Sequence, residues 1–154
     1  MNMVHFRLIV SQATTNYHFF LSLKQSRNML KLADIFFLVF HTSLILFNLF
    51  GWIWKKTRLA NLITLLITAG SWLILGLIVG SLGYCPLTDW HFRILRQLGV
   101  SDLPVSYIKY LADRLTGLDF NQNLVDAVTL WGLAGALVVS ATLNTYQIIK
   151  RGKK

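Results

Sequence analysis

Three long apolar stretches divide the chain. They cover residues 35–54, 59–88 and 127–149, and none contains a formally charged residue at neutral pH. A helix that crosses a bilayer needs about 20 mostly apolar residues at a rise of about 1.5 Å each. A bundle of buried helices in a soluble protein is the alternative, but its helices would need a polar face, and these lack a charged one. The pattern therefore predicts three transmembrane helices.

The second stretch is longer than one span. Its helix should end near Tyr84, because Pro86 cannot continue a helix and disfavours the helical conformation at Cys85. Residues 55–58 should form a tight turn between the first two spans. That turn must lie in the membrane interface, since open backbone is not tolerated in lipid.

Two shorter amphipathic helices are predicted in residues 85–125. The first should have Thr88 or Asp89 as its N-cap and Gly99 just past its C-terminal end. The second follows Pro104, where apolar residues repeat every three or four positions. Both would lie on the membrane surface or fold over the bundle, and an ordinary extramembrane hairpin is the alternative. The predicted fold is an all-α integral membrane protein with three transmembrane helices and an amphipathic helical hairpin between the second and third.

The composition supports a membrane protein. Hydrophobic residues make up 55% of the chain and charged residues 14%, whereas a soluble domain carries about 25% charged residues. So much apolar surface excludes a disordered chain. The single cysteine, Cys85, excludes a disulfide scaffold.

The positive charge is placed at the ends of the predicted spans. The net charge is +9, and residues 55–58 and 150–154 carry seven of the basic side chains. Because basic loops favour the cytoplasmic side, we expect the N-terminus outside and the C-terminus inside. Helical spans indicate the bacterial cytoplasmic (inner) membrane, since outer-membrane proteins are normally barrels. The sequence contains no nucleic-acid-binding motif, so the expected partner of these residues is the lipid bilayer.

The N-terminal residues differ from the rest. Residues 1–28 contain no apolar run long enough to span and no signal-peptide cleavage pattern. Met29 directly precedes the first span, so we predict that translation starts there and that residues 1–28 are a non-native or disordered extension. A surface arm is the alternative. Residues 29–154 then form a single three-span membrane domain.

Polar residues inside the spans are candidates for function because polarity in lipid is costly. In the first span, Asp34, His41 and Asn48 recur at seven-residue spacing and should form one stripe on the helix. Such residues often only form hydrogen bonds between helices, which is the structural alternative. The candidate intramembrane polar site comprises Asp34, His41, Asn48, Asn61, Thr64, Thr68 and Asp126.

Catalytic motifs are not found. The sequence has no phosphate-binding glycine loop, no serine-hydrolase elbow and no cysteine pair, which favours a non-enzymatic role without a cofactor. We therefore predict a non-catalytic membrane module that binds a partner protein or a lipid, with a homo-oligomer as one form of partner. One alternative is a proton-linked transporter or channel component that uses the stripe of the first span. A metal- or haem-binding membrane protein is the other, through His41, Cys85 and His91.

The string Gly83-Tyr84-Cys85-Pro86-Leu87-Thr88 is the most distinctive in the chain. It resembles the Cys-Pro-Leu-Thr signature of a small bacterial integral-membrane family, the domain of unknown function 2784. The family's first span also has an Asp and a His seven apart, like Asp34 and His41. The position six residues after the signature cysteine is often Glu in the family and is His91 here. The resemblance implies a three-span protein of unassigned activity, and it points to the signature segment Cys85, Pro86, Leu87, Thr88 and His91.

Overall fold

The computed structural model describes the backbone of residues 3–152 and the side chains of residues 23–150. Within that backbone, all regular secondary structure is helical. In chain order the elements are α1 (Met3–Phe50), α2 (Arg58–Gly70), a π-helical segment (Ser71–Leu75), α3 (Gly76–Val79), α4 (Pro86–Gln97), α5 (Tyr107–Thr116) and α6 (Gln122–Gly152).

The prediction of three membrane-spanning helices is confirmed as far as length and composition decide it. The segments Leu23–Phe50, Arg58–Val79 and Gln122–Lys150 have mean hydropathies of 1.9, 2.4 and 1.8. Only 11% of the apolar window of each is buried inside the protein. Most of their apolar side chains therefore face outward, which a water-soluble monomer does not tolerate over so large an area. The three helices are compatible with a multi-pass membrane protein.

The second span ends earlier than predicted. Its helix stops at Val79 rather than near Tyr84, because Gly80 adopts a left-handed conformation (φ 78°) that closes the helix. The backbone N–H of Ser81 then donates to the carbonyl of Gly76 at 2.8 Å. The glycine ends the helix before the proline can, so the end predicted from Pro86 was wrong.

The start of α4 also differs from the prediction. Cys85 occupies the N-cap position and Pro86 is the first helical residue, so neither Thr88 nor Asp89 is the N-cap. Proline suits the first position because its φ is already helical and no donor is needed there. At the other end, Gly99 has φ 94°, as expected for a residue just past the helix.

α4 and α5 pack against the first span. Their main apolar cluster consists of Phe92 and Leu95 from α4 with Tyr107 and Tyr110 from α5, and Ile45 of α1 packs against it. α6 contacts α1, α2 and α5. This packing brings side chains of α4 and α5 to the face of α1 that carries Asp34 and His41. The predicted placement of α4 and α5 at a membrane surface stays a prediction.

The turn between α1 and α2 lies beside the C-terminal part of α6. The Asn144 amide donates to the carbonyl of Arg58 at 3.1 Å and to that of Ser140 at 2.8 Å. The basic turn and the basic end of α6 therefore lie at the same end of the bundle. The predicted N-terminal extension falls largely on residues 1–22, whose side chains lie outside the described part, so it stays a prediction together with the start at Met29.

Candidate functional site: a buried carboxylate network and an adjoining cavity

Asp34 is the centre of a network that joins three helices. The Arg114 guanidinium of α5 donates from Nη1 to Oδ1 at 2.9 Å and from Nη2 to Oδ2 at 3.0 Å. Nε2 of His91 in α4 lies 2.8 Å from Oδ1. Asp34 is only 9% exposed and His91 is fully buried. A planar guanidinium matches a carboxylate in this two-point geometry, so Asp34 fixes the positions of both helices relative to α1.

The charge state of this network follows from its hydrogen bonds. An ionised carboxylate can only accept, so His91 must donate from Nε2, and its buried Nδ1 has no hydrogen-bond partner. The hydrogen bonds that Arg114 donates to Asp34 are the largest cause that raises the pKa of Arg114, although burial opposes it. Arg114 also donates to the hydroxyl of Tyr110 and lies 5.6 Å from the centre of that ring. The guanidinium is therefore permanently charged and held from two sides.

Aromatic rings surround both histidines. The His91 ring lies 5.7 Å from Phe37 in a stacked arrangement and 5.8 Å edge-on from Tyr110. His41 stacks on Tyr107 with ring centres 3.9 Å apart. Burial is the main cause that raises the pKa of Tyr107 to about 12, so its hydroxyl stays protonated at neutral pH. The Tyr107 ring also lies 5.7 Å from the His91 ring, so an uncharged aromatic side chain contacts both histidines.

His41 also contacts the segment that follows the second span. Its Nε2 lies 3.9 Å from Sγ of Cys85, and its Nδ1 is buried without a hydrogen-bond partner. The neighbouring Leu87 and Thr88 are half-buried. The signature segment therefore meets the first span at two places, Cys85 at His41 and His91 at Asp34.

Asn48 belongs to a second, separate polar cluster. Its amide donates to the hydroxyl of Thr68 at 3.0 Å, and Thr68 in turn donates to the carbonyl of Thr64 at 2.9 Å. Asn61 is fully buried and donates to the carbonyls of Phe47 at 2.7 Å and Asn48 at 3.2 Å. These carbonyls lie in the last turn of α1, where the Phe47 carbonyl also accepts from the Gly51 N–H at 2.7 Å, so Asn61 helps to cap the end of that helix. The hydrogen bonds of this cluster therefore join the end of α1 to α2.

A cavity of about 380 Å³ opens beside the carboxylate network. Its polar wall is formed by Arg27, Lys31 and Asp34 of α1 with Tyr110 and Arg114 of α5. Its apolar wall is formed by Leu95, Leu98 and Val100, at and just after the end of α4. Its volume falls within the range of small-ligand pockets, about 300–1,000 Å³, and the cavity is largely open to its surroundings. The cavity can therefore accept a ligand that has both an anionic and an apolar part.

Comparison with known families identifies the chain. The profile described as "Protein of Unknown function (DUF2784)" matches residues 31–145, which is more than half of the chain. The chain belongs to the DUF2784 family. No curated protein and no solved structure matches it. The residues of this DUF2784 protein that form the carboxylate network all lie inside the matched region, whereas Arg27 precedes it.

The predicted polar site of this DUF2784 protein is not one site. Asp34 and His41 face α4 and α5, whereas Asn48, Asn61, Thr64 and Thr68 lie at the junction of α1 and α2. Among side chains of residues 23–150, no hydrogen bond joins His41 with Asn48. Asp126 is exposed and lies apart from both groups, and in the described part of the chain only Gln122 donates hydrogen bonds to it, at 2.8 Å. The proton-linked alternative stays a prediction.

Arg114 is the main residue of the network that sequence reasoning missed. From the sequence it belongs only to the polar face of a short helix, 80 positions from Asp34. A signal existed, because a carboxylate that is buried beside an apolar span usually pairs with a cation. The residues 85–125 offer four such side chains, namely Arg93, Arg96, Lys109 and Arg114.

No cluster in the described residues of this DUF2784 protein has the ligands of an ordinary metal site. Between residues 23 and 150, no three His, Cys, Asp or Glu side chains are placed so that they could hold an ion. His41 and Cys85 are close to each other, but His91 is directed at Asp34. The metal- or haem-binding alternative stays a prediction.

Proposed function

We propose that this protein is a non-catalytic, multi-pass membrane protein that binds a lipid in the cavity between α1, α4 and α5. The composition of the cavity wall carries the proposal. Leu98 and Val100 offer apolar surface, and the basic side chains of Arg27, Lys31 and Arg114 line the same cavity. A membrane lipid has the same two parts, an acyl chain and a polar headgroup.

The position of the cavity along α1 supports a lipid rather than a soluble ligand. Arg27 and Lys31 lie eight and four positions before residue 35, where an uncharged run that continues to residue 50 begins. If this part of α1 lies in the hydrocarbon core, both basic residues lie at the interface, where headgroups are found. Ile35 and Phe36 begin this run and are 55% and 60% exposed, so α1 offers an apolar surface for an acyl chain near the cavity.

The carboxylate network supports binding by keeping the cavity wall rigid. Asp34 holds Arg114 through two hydrogen bonds, and Arg114 holds the ring of Tyr110. Both of these α5 side chains line the cavity. A wall that is already ordered loses little conformational entropy when a ligand binds, so more of the contact energy appears as affinity.

The proposal predicts that filling the cavity removes the lipid. In Leu98→Trp the larger ring occupies the apolar side of the cavity. We expect native mass spectrometry of the protein, extracted in mild detergent, to show a lipid adduct for the wild type and at least a tenfold smaller bound fraction for this variant. Val105→Trp is the matched control, because residue 105 is 84% exposed and does not line the cavity.

Two results would contradict the proposal. One is a wild-type protein that carries no lipid after extraction and acquires none when lipids are added back. The other is an equal bound fraction in Leu98→Trp and Val105→Trp. The melting temperature of each variant, measured in the same detergent, confirms that a loss of lipid is not a loss of fold.

We also propose that the protein lies in the bacterial inner membrane with its N-terminus outside. The support is the location of the basic turn and the basic end of α6 at one end of the bundle, since basic loops favour the cytoplasm. In a Cys85→Ser background, a membrane-impermeant maleimide should label Ser101→Cys in intact cells and Lys56→Cys only after permeabilisation. The reverse labelling pattern would invert the proposed orientation.

A further inference from the structure

We infer that the cavity selects an anionic phospholipid and that Lys31, together with Arg27 in the chain that begins at Met1, binds its phosphate. In a chain that starts at Met29, Lys31 and Arg114 are the cations of the cavity and Lys31 carries the inference. This inference rests on the proposed lipid-binding function and names the class of headgroup. Arg27 and Lys31 lie one helical turn apart, and Asp34 follows on the same face of α1. All three line the cavity, so the two basic side chains can approach one ligand from the same side.

The charges in the cavity do not balance. Three basic side chains and one carboxylate line it, which leaves a formal charge of +2. Asp34 is already occupied, because Arg114 contacts both of its oxygens and His91 contacts one. Among the described side chains, no carboxylate forms an ion pair with Arg27 or Lys31. Two neighbouring positive charges one turn apart repel each other, and a bound anion would remove that repulsion.

The remaining polar wall argues against a zwitterionic headgroup. Choline and ethanolamine carry a positive charge that would lie beside Arg27 and Lys31. Tyr110 is the aromatic side chain of the cavity wall, and its ring already faces the guanidinium of Arg114. Because Arg114 already lies over the Tyr110 ring, that ring does not offer a favourable face to the cation of a headgroup. A headgroup that carries only hydroxyl groups beyond its phosphate avoids both conflicts, and a guanidinium binds phosphate oxygens at two points.

The test is competition between lipids that differ only in the headgroup. The full-length protein in detergent is titrated with phosphatidylglycerol and phosphatidylcholine of identical acyl chains, and bound lipid is counted by native mass spectrometry. We expect the wild type to prefer phosphatidylglycerol by at least tenfold. Arg27→Gln and Lys31→Gln should each reduce that preference about fivefold, since one interfacial cation contributes about that factor.

The control variant is Lys56→Gln. It removes the same charge from an exposed position in the turn at the other end of the bundle, so it should leave the preference unchanged. Arg27 and Lys31 are exposed as well, so neither substitution disturbs a packed core. Soluble glycerol phosphate is added as a competitor, and it should not displace the lipid at equal concentration because it lacks the apolar part.

The outcomes separate the two proposals. Lipid that binds with no headgroup preference would overturn the anionic selectivity and leave the lipid-binding function in place. A wild-type protein that binds neither lipid would overturn both. An equal loss of preference in Lys56→Gln would show that overall charge, rather than Arg27 and Lys31, attracts the lipid. Displacement by glycerol phosphate at equal concentration would replace the lipid with a soluble phosphate compound.

Discussion

Replacing Asp34 with Asn should lower the free energy of unfolding by about 3 kcal/mol, which is more than a hundredfold in the folding equilibrium. The amide keeps the shape of the side chain but removes the charge. Arg114 then loses its carboxylate, and an amide at this position cannot repeat the two-point hydrogen bond. Breaking one half of a buried ion pair costs about 3–5 kcal/mol. We expect the lower end because the Arg114 side chain is 35% exposed and water can hydrate part of it.

Equilibrium unfolding in mixed detergent micelles, followed by tryptophan fluorescence, measures this loss. Asp126→Asn is the control, because it removes an exposed carboxylate that only accepts hydrogen bonds from Gln122. It should change the free energy by less than about 0.5 kcal/mol. A double variant of Asp34→Asn with Arg114→Gln should lose less than the sum of its two single variants, since both break the same pair. Equal losses in Asp34→Asn and Asp126→Asn would show that the network does not hold the fold.

Gly51→Ala should cost about 2 kcal/mol, because the close junction of α1 and α2 has no room for a methyl group. A Cβ at residue 51 would lie 2.6 Å from the backbone oxygen of Phe47 and 3.0 Å from the amide nitrogen of Asn61. The Phe47 carbonyl cannot move away easily. It accepts hydrogen bonds from the Gly51 N–H and from Asn61, each at 2.7 Å. The methyl group would therefore weaken the cap that Asn61 places on the end of α1.

Thermal unfolding in the same detergent separates this effect from a general effect of glycine removal. Gly135→Ala is the matched control, since nothing lies within 4 Å of a Cβ at that position. Alanine is the better helix former, so the control should be unchanged or more stable by up to about 1 kcal/mol. If both substitutions gave the same melting temperature, the contact at Gly51 would not be tight in the folded protein.

The polar stripe of the first span shows how far sequence reasoning reached. Seven-residue spacing correctly placed Asp34, His41 and Asn48 on related positions of one helix. It could not show that the stripe divides, because α1 meets α4 near Asp34 and α2 near Asn48. Arg114 is 80 positions and His91 57 positions away from Asp34 in the chain. A distant partner leaves no periodic signal near the residue that it contacts.

The helix ends show a similar division. The run of apolar residues predicted the second span, but the sequence contains two residues that can end its helix, Gly80 and Pro86. Pro86 is the stop that the sequence predicts, whereas Gly80 stops the helix first. The same proline starts α4 and excludes the predicted N-caps at Thr88 and Asp89. Local chemistry therefore offered more than one end for the helix, and the folded backbone shows which of them is used.

Three features follow from the chain alone: the apolar helices, the more polar segment between the second and third of them, and the alignment of Asp34 with His41. Each depends on periodicity or composition within one element, where neighbours in the chain are neighbours in space. The folded arrangement was needed to show that Asp34 binds Arg114 and His91, that Asn61 caps α1, and that Arg27 and Lys31 line a cavity with Leu98. These contacts depend on which helices dock at each depth of the bundle, and docking is governed by shape and charge that distant segments bring together.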